Sequence, residues 1–466
     1  MKRAVRTSFQ QQLLTDVDFK KIKCDEAELE FPSSTVYNKD GEVVDRITED
    51  NNIQLLQGDR FEIRMQCIIE QLSAPPSCTL LGYRLNKGTK YPVMYWPSSV
   101  VVVECTEGDA LIRIKGVSEN SYLNHSPSLL RFTPQMEKVA QEMLNSYYND
   151  YKAIRAVVVG NKDVGKSTFL RYILNCLLTR IATVQWLDLD PGQCEFTPPG
   201  LVSLVSQTQP LFGFAHNHIL HDHKEVGSEL IQSFFIGQLS PSACPLTYRS
   251  AVQALALSIR RDEPLLINTM GWMHGMGLQF LEESLNLIKP THIIHLVADE
   301  DDPIYESQYH VIRVDCCQSG AASNASSSVQ QRRAKESRDM AFKHYFDFKP
   351  ASAHSIVKAP INQLAVGMCD EKISVESYLP LLKGLVAVCT TSLIVDNNSS
   401  SDQSEQQKSQ QVFKIPDKPL RWLAYGCVRA ITEDYIYLSC PINLSELPAP
   451  GNCLIKPNFE LPHGYE

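Results

Sequence analysis

The nine residues Gly160 to Thr168, GNKDVGKST, decide how the chain is read. Apolar Ala156 to Val159 runs into them, and Thr168 to Arg180 continues with helical spacing, which is the order strand, glycine-containing turn, helix. The stretch fits G-x-x-x-x-G-K-[ST], with Gly160, Gly165, Lys166 and Ser167 in the fixed places. Glycines there let backbone N–H groups face phosphate oxygens, and the following helix presents its positive end. Gly160, Asn161, Lys162, Asp163, Val164, Gly165, Lys166, Ser167 and Thr168 are therefore expected to hold ATP. Lys166 would reach the β and γ phosphates, and the Ser167 hydroxyl would ligate Mg2+.

Working outward, apolar strands recur at Thr183 to Leu189, Leu265 to Asn268 and His292 to Val297, with helical patterns between them. This predicts an α/β fold, a P-loop NTPase-type parallel sheet with helices on both faces. Such sheets keep ligands at the carboxyl ends of their strands. Trp186-Leu-Asp-Leu-Asp-Pro-Gly-Gln193 puts Asp188 and Asp190 at one of those ends, two residues apart, so an extended chain turns both the same way. Phosphorylating a hydroxyl needs one carboxylate to take its proton and others for magnesium or its waters. Asp190 is assigned the first task and Asp188 the second.

Asn268-Thr-Met-Gly-Trp272 brings a hydroxyl, a flexible glycine and an indole to the same edge, where an aromatic ring can stack on a base. Arg332, Arg333, Lys335, Arg338 and Lys343 form the one dense basic helical run, suited either to a lid over the transferring phosphate or to a solvated helix face. His216, His218, His221 and His223 lie close in sequence with no cysteine or acidic partner at ligand spacing, and are read as a polar loop rather than a metal site. Cys194 has no nearby histidine to activate it.

The chain of 466 residues is 43% hydrophobic and 21% charged, room for two to four globular domains. A net charge of -9 gives no global attraction for nucleic acid, so any such contact must come from a local groove. Fourteen cysteines without a C-x-x-C argue against a zinc ribbon and a disulfide framework, and fit a reducing compartment. The opening MKRAVRTSFQQQLL lacks the apolar core of a signal peptide, and no run approaches membrane-spanning length; a soluble, intracellular protein without a membrane partner is expected.

In the flanks, Phe61, Ile63, Met65 and Cys67 alternate with polar residues and predict one half-buried strand. Val100 to Val103 and Ala110 to Ile114, around Glu107-Gly108-Asp109, predict an antiparallel pair in a sandwich or barrel. A helix is expected from Thr133 as N-cap, with Pro134 at its first position, burying Met136, Val139, Ala140, Met143, Leu144 and Tyr147. Gln318 to Gln330 and Asn397 to Gln411 read as polar loops, and Trp422 to Cys440 as β structure. The expected organisation is an N-terminal β-rich domain over 1–132, a P-loop domain over 133–349 and a C-terminal β-rich domain over 350–466.

Taken together, GNKDVGKSTFLRYILN, DLDPGQCEFTPPGLVSL, LINTMGW, IGQLSP and the tail YLSCPINLSELPAPGNCLIKPNFELP resemble the polynucleotide 5′-hydroxyl kinases, and within them the nucleolar kinases of pre-ribosomal RNA processing. The likeness is strong over 153–300 and fainter over 412–462. It implies that 133–349 is a polynucleotide kinase domain moving the γ-phosphate of ATP to a 5′-hydroxyl end of RNA. Lys166 and Ser167 would act in the phosphate loop and Asp190 as base. Gln193 would lie near the acceptor strand, and Thr269, Gly271 and Trp272 in a clasp that aligns substrate and loop. The resemblance puts a lid arginine among Arg332, Arg333 and Arg338, of which Arg338 is taken forward as catalytic. It further implies a pre-ribosomal spacer endonuclease as partner and a nucleolar, hence nuclear, location. The related RNA kinase of messenger RNA 3′-end formation and transfer RNA splicing is the alternative within the same chemistry. A non-catalytic ATP-binding scaffold is the alternative of another class, and a GTPase-like switch lacks an N-K-x-D motif.

Overall fold

The computed structural model describes residues 34–37, 43–44, 52–63, 67–74, 78–93, 101–116, 132–150, 154–221, 224–225, 227–297, 305, 307–315, 327–347, 355–360, 365–368, 384–390, 412–414, 419–440 and 452–462. At its centre β1 (Arg155–Val159), β2 (Val184–Asp188), β3 (Leu201–Gln207), β4 (Ser228–Phe235), β5 (Leu265–Asn268), β6 (His292–Val297) and β7 (Val311–Asp315) share one sheet. Its order is β7-β6-β1-β5-β2-β3-β4. The first five of these are mutually parallel, whereas β3 and β4 run antiparallel. Beyond β4 the same sheet continues into Leu420–Ile431, Gly384–Thr390 and Asn452–Lys456, so the C-terminal β structure extends the central sheet.

Helices cover both faces because the strands are apolar on both. Ala156 and Val158 of β1 join a core with α1 (Pro134–Asp150), α2 (Lys166–Leu178) and the C-terminal half of α5 (Ser327–Asp347). Val157 and Val159 face the other way, into a core with α3 (Pro245–Ser258) and α4 (Gly275–Ile288). β3 carries no alternating strand signal in the sequence. All seven of its residues are buried, including Ser203, Ser206 and Gln207, so it shows no alternation of apolar and polar positions.

α1 starts as expected: Met136 N–H donates to the Thr133 hydroxyl at 3.2 Å, and Met136, Val139, Ala140, Met143 and Leu144 are buried. It packs on α2, where Phe132 stacks on Tyr172 with ring centroids 4.0 Å apart. Among the described residues no helix is long and apolar enough to cross a membrane.

The N-terminal region forms two antiparallel sheets, and two expectations there need correction. Phe61 and Ile63 lie in Arg60–Ile63 of one sheet, while Cys67 begins Cys67–Gln71 of the other; Arg64, Met65 and Gln66 are outside the described residues. One alternating run thus contributes to two sheets. Val101–Cys105 and Ala110–Gly116 are likewise not partners. The first pairs with Arg60–Ile63 and Cys78–Leu80, the second with Ile53–Leu55 and Cys67–Gln71. The turn between them crosses from sheet to sheet, burying the inner faces of both in one core.

Candidate active site

The phosphate-loop stretch links β1 to α2 through three residues with positive φ, Gly160 (144°), Asp163 (65°) and Gly165 (92°). At Gly160 a Cβ would come within 2.5 Å of the Leu296 carbonyl oxygen, so glycine is required by contact as well as by φ. Gly165, the N-cap of α2, is different: a Cβ there would meet nothing within 4 Å, so the helix start faces open space. Lys166 crosses the loop and donates from Nζ to the Asn161 carbonyl at 2.7 Å. It is 8% exposed, and burial pushes its ammonium down to about 8 against the opposing charges of Asp190 and Asp163.

The two carboxylates expected to act side by side occupy different environments. Asp190 lies past the end of β2, where its Oδ1 accepts the Gly192 N–H at 2.9 Å. Burial raises its pKa, and the N–H of Gly192, the Lys166 ammonium, the N–H of Gln193 and the Arg338 guanidinium pull it back down. The charges of Lys166, in the phosphate loop, and of Arg338, on α5, thus both act on Asp190. Tyr248, on α3, fixes the turn from below by donating its hydroxyl to the Leu189 carbonyl at 2.9 Å.

Asp188 is fully buried and its oxygens are engaged. Oδ2 accepts the Glu195 N–H at 2.7 Å, and Oδ1 accepts Asn268 Nδ2 at 3.0 Å and the Asp190 N–H at 3.3 Å. Burial lifts it to about 7 despite those donors. Asp188 reaches the loop through Asn268, whose Oδ1 accepts the Ser167 hydroxyl at 3.2 Å. Local spacing assigns Asn268 no role, since its partners lie 101 and 80 residues away.

The segment after β5 presses on the phosphate loop. A Cβ on Gly271 would lie 2.6 Å from Lys162 Cα, 2.8 Å from Lys162 N and 2.9 Å from Lys166 Nζ, so only glycine permits this approach. Thr269 spends its hydroxyl on the Val158 carbonyl at 2.9 Å, tying β5 to β1. Trp272 is half-buried, lies over Gly277 in the first turn of α4 and meets the exposed His274 edge-on at 6.3 Å. Gln193 is exposed at the mouth of the turn.

Along α5, Lys335 and Lys343 face solvent, whereas Arg338 is half-buried and among the charges acting on Asp190. The side chains of Arg332 and Arg333 lie outside the described residues. The helix is anchored by its C-terminal half, where Tyr345 Oη accepts the Tyr425 N–H at 3.0 Å and Phe342 and Phe346 are buried.

The histidine segment is not the polar loop expected. His216 and His218 sit in a single helical turn, Ala215–His218, packed against α5. Glu195, fully buried, pairs with Arg171 and with His218 Nδ1, each at 2.8 Å, and His221 Nε2 meets the His344 carbonyl at 3.1 Å. His223 is outside the described residues. Cys194 is buried, and burial raises its thiol far above its ordinary value.

The donors around Ser167 suit a hard cation. Hydroxyl and carboxylate oxygens are the ligand type of magnesium, which takes few protein ligands and completes its shell with phosphates and water. The open side of Gly165 leaves room for such a group beside Ser167.

The family described as mRNA cleavage and polyadenylation factor CLP1 P-loop matches over residues 160–347. Polynucleotide 5′-hydroxyl-kinase NOL9 of Bos taurus is 33% identical over 171 residues, which are 36% of this chain and 24% of that protein. Polynucleotide 5′-hydroxyl-kinase GRC3 of Debaryomyces hansenii is 33% identical over 168 residues, 35% of this chain and 24% of that one. The match thus spans about a quarter of the length of these relatives. A solved structure of Clp1p with Pcf11p superposes with a TM-score of 0.61 at 13% identity, covering 88% of this chain and 98% of that chain, a likeness of fold.

Proposed function

We propose, from the premise that residues 160–347 form a P-loop domain of the polynucleotide 5′-hydroxyl-kinase kind, that the protein transfers the γ-phosphate of ATP to the 5′-hydroxyl end of RNA. The observation that carries this reading is the close approach of the segment after β5 to the phosphate loop, where a Cβ on Gly271 would lie 2.6 Å from Lys162 Cα and 2.9 Å from Lys166 Nζ, with the charges of Lys166 and Arg338 both acting on Asp190. A carboxylate whose proton affinity is raised by burial is suited to take the proton of an attacking hydroxyl, while cations on either side stabilise charge on the transferring group.

In this scheme the loop from Gly160 to Thr168 binds the triphosphate, with its backbone N–H groups and the start of α2 facing the phosphates. Lys166 leaves its contact with Asn161 for the phosphates. Ser167 would hold the magnesium ion, with Asp188 backing it at one remove through Asn268, and the ion would neutralise charge on the phosphates. Gly271 keeps Trp272 close to the loop, where the half-exposed indole stacks on the terminal base, and Gln193 borders the acceptor strand. Thr269 acts by tying strand ends together. Residues 133–349 are the catalytic domain in this reading, flanked by β-rich regions over 1–132 and 350–466.

The 33% identity to polynucleotide 5′-hydroxyl-kinases NOL9 and GRC3 supports the kinase chemistry; pre-ribosomal RNA processing, a nucleolar location and a spacer endonuclease partner are proposed with it from the resemblance of the motifs. The description of the matching family, mRNA cleavage and polyadenylation factor CLP1 P-loop, supports a second reading, the kinase type of messenger RNA 3′-end formation. Affinity purification separates them by what is recovered, a spacer endonuclease or cleavage-factor subunits. The transferase reading itself is tested with ATP and paired RNA oligonucleotides, one ending in a 5′-hydroxyl and one in a 5′-phosphate. Magnesium-dependent phosphorylation of the first alone is expected; equal ATP consumption without any acceptor would contradict it.

A further inference from the structure

Asn268 closes β5, between the strands that carry the phosphate loop and Asp188, and is 2% exposed. Its side chain is the sole bridge between Ser167 and Asp188 among the described hydrogen bonds. The orientation of its amide follows from its neighbours. Asp188 takes N–H groups from Glu195 and Asp190, and with the Asn268 NH2 on Asp188 Oδ1 the amide Oδ1 faces the Ser167 hydroxyl. A serine hydroxyl has one hydrogen to give. With that hydrogen directed at Asn268 Oδ1, the lone pairs of Ser167 Oγ turn away from the strand ends.

We propose that Asn268 is a positioning residue for magnesium–nucleotide binding: by taking the Ser167 proton it presents the Ser167 oxygen, lone pairs outward, to the cation. This rests on the kinase reading above and adds to it the group that orients the hydroxyl. Asp188 in turn orients the amide, so the carboxylate acts on Ser167 at one remove. Groups that orient a metal ligand in this way typically change metal affinity by about 10- to 100-fold when removed.

Calorimetric titration of ATP into the full-length protein, in EDTA and in magnesium, tests this without relying on turnover. The set comprises wild type, Asn268→Ala, Ser167→Ala and the double variant. Wild type should bind more tightly with magnesium, and Asn268→Ala should lose at least about tenfold of that gain while matching wild type in EDTA. In the Ser167→Ala background, Asn268→Ala should change nothing further, because the two act as one unit. A full magnesium gain in Asn268→Ala, an equal loss in EDTA, or an undiminished loss in the Ser167→Ala background overturns the proposal and makes Asn268 a strap between strands. If Asn268→Ala does not fold, as judged by circular dichroism, Asn268→Ser is titrated against the same outcomes. Wild type that binds no ATP in either buffer overturns the kinase reading, and this proposal with it; a normal wild type beside an unaffected variant overturns the proposal alone.

Discussion

Gly271→Ala isolates the contact between the segment after β5 and the phosphate loop. The φ of Gly271 is not positive, so alanine meets no backbone penalty, and any effect comes from the methyl group alone. That methyl would stand 2.6 Å from Lys162 Cα, whereas ordinary contact begins at 3.4 Å, so the two segments must part by about 0.8 Å. The nearest atoms are main chain, which cannot rotate aside, and the third is the Lys166 ammonium itself. A displacement near 1 Å in a positioned reaction costs on the order of 100-fold in rate. Steady-state phosphorylation of a 5′-hydroxyl RNA should accordingly show kcat/KM down by about 100-fold, with the thermal midpoint little changed. Gly88→Ala is the control. Its φ is +72° with nothing within 4 Å of the new Cβ, so it should cost about 1 kcal/mol of stability and leave transfer intact. Wild-type kcat/KM in Gly271→Ala would refute the argument that this approach aligns the loop.

Lys166→Ala should depress transfer by a factor of about 100 to 1,000 or more while circular dichroism stays native, because the loss is of charge stabilisation; transfer near the wild-type rate would remove Lys166 from the mechanism. Asp190→Asn should lower kcat with ATP affinity retained, and lost affinity with an unchanged chemical step would make Asp190 a magnesium-shell residue instead. Glu195→Ala strands Arg171 in a buried site and should cost about 3–5 kcal/mol in denaturant unfolding; a loss below about 1 kcal/mol would count against the buried pairing. His216 is 7% exposed, with its pKa pushed from 6.5 down to about 4, chiefly by burial. Between those values the unfolded chain binds a proton that the folded protein does not, so stability from this group is full above 6.5 and falls away as pH drops through about 4. His216→Leu should flatten that part of the acid limb, and an unchanged slope would contradict it.

How much of this was legible in the sequence depended on distance along the chain. GNKDVGKST is local chemistry, since the turn, the lysine and the helix start are set by neighbouring residues, and strand and helix appear where the spacing put them. Thr133 capped its helix for the same reason. Asn268 depended on partners 101 and 80 residues off, which no spacing rule reports. Period-two reasoning assumes that the strand continues, whereas β2 ends at Asp188 and Asp190 belongs to the turn. The alternation from Phe61 to Cys67 reported burial correctly but could not reveal that its two ends serve different sheets. The histidines looked polar by composition, yet Glu195, Arg171 and the α5 helix arrive from elsewhere to bury them.

The central claim, that ATP over the phosphate loop gives its outermost group to a hydroxyl beside Asp190, is tested most directly by following the label. The full-length protein is incubated with γ-labelled ATP, magnesium and a 5′-hydroxyl RNA, and the RNA is then digested to nucleotides. The account predicts label on the 5′-phosphate of the terminal nucleotide with wild type and at least about 100-fold slower labelling with Asp190→Asn. Label recovered only as free phosphate, or equal transfer by both proteins, would contradict it.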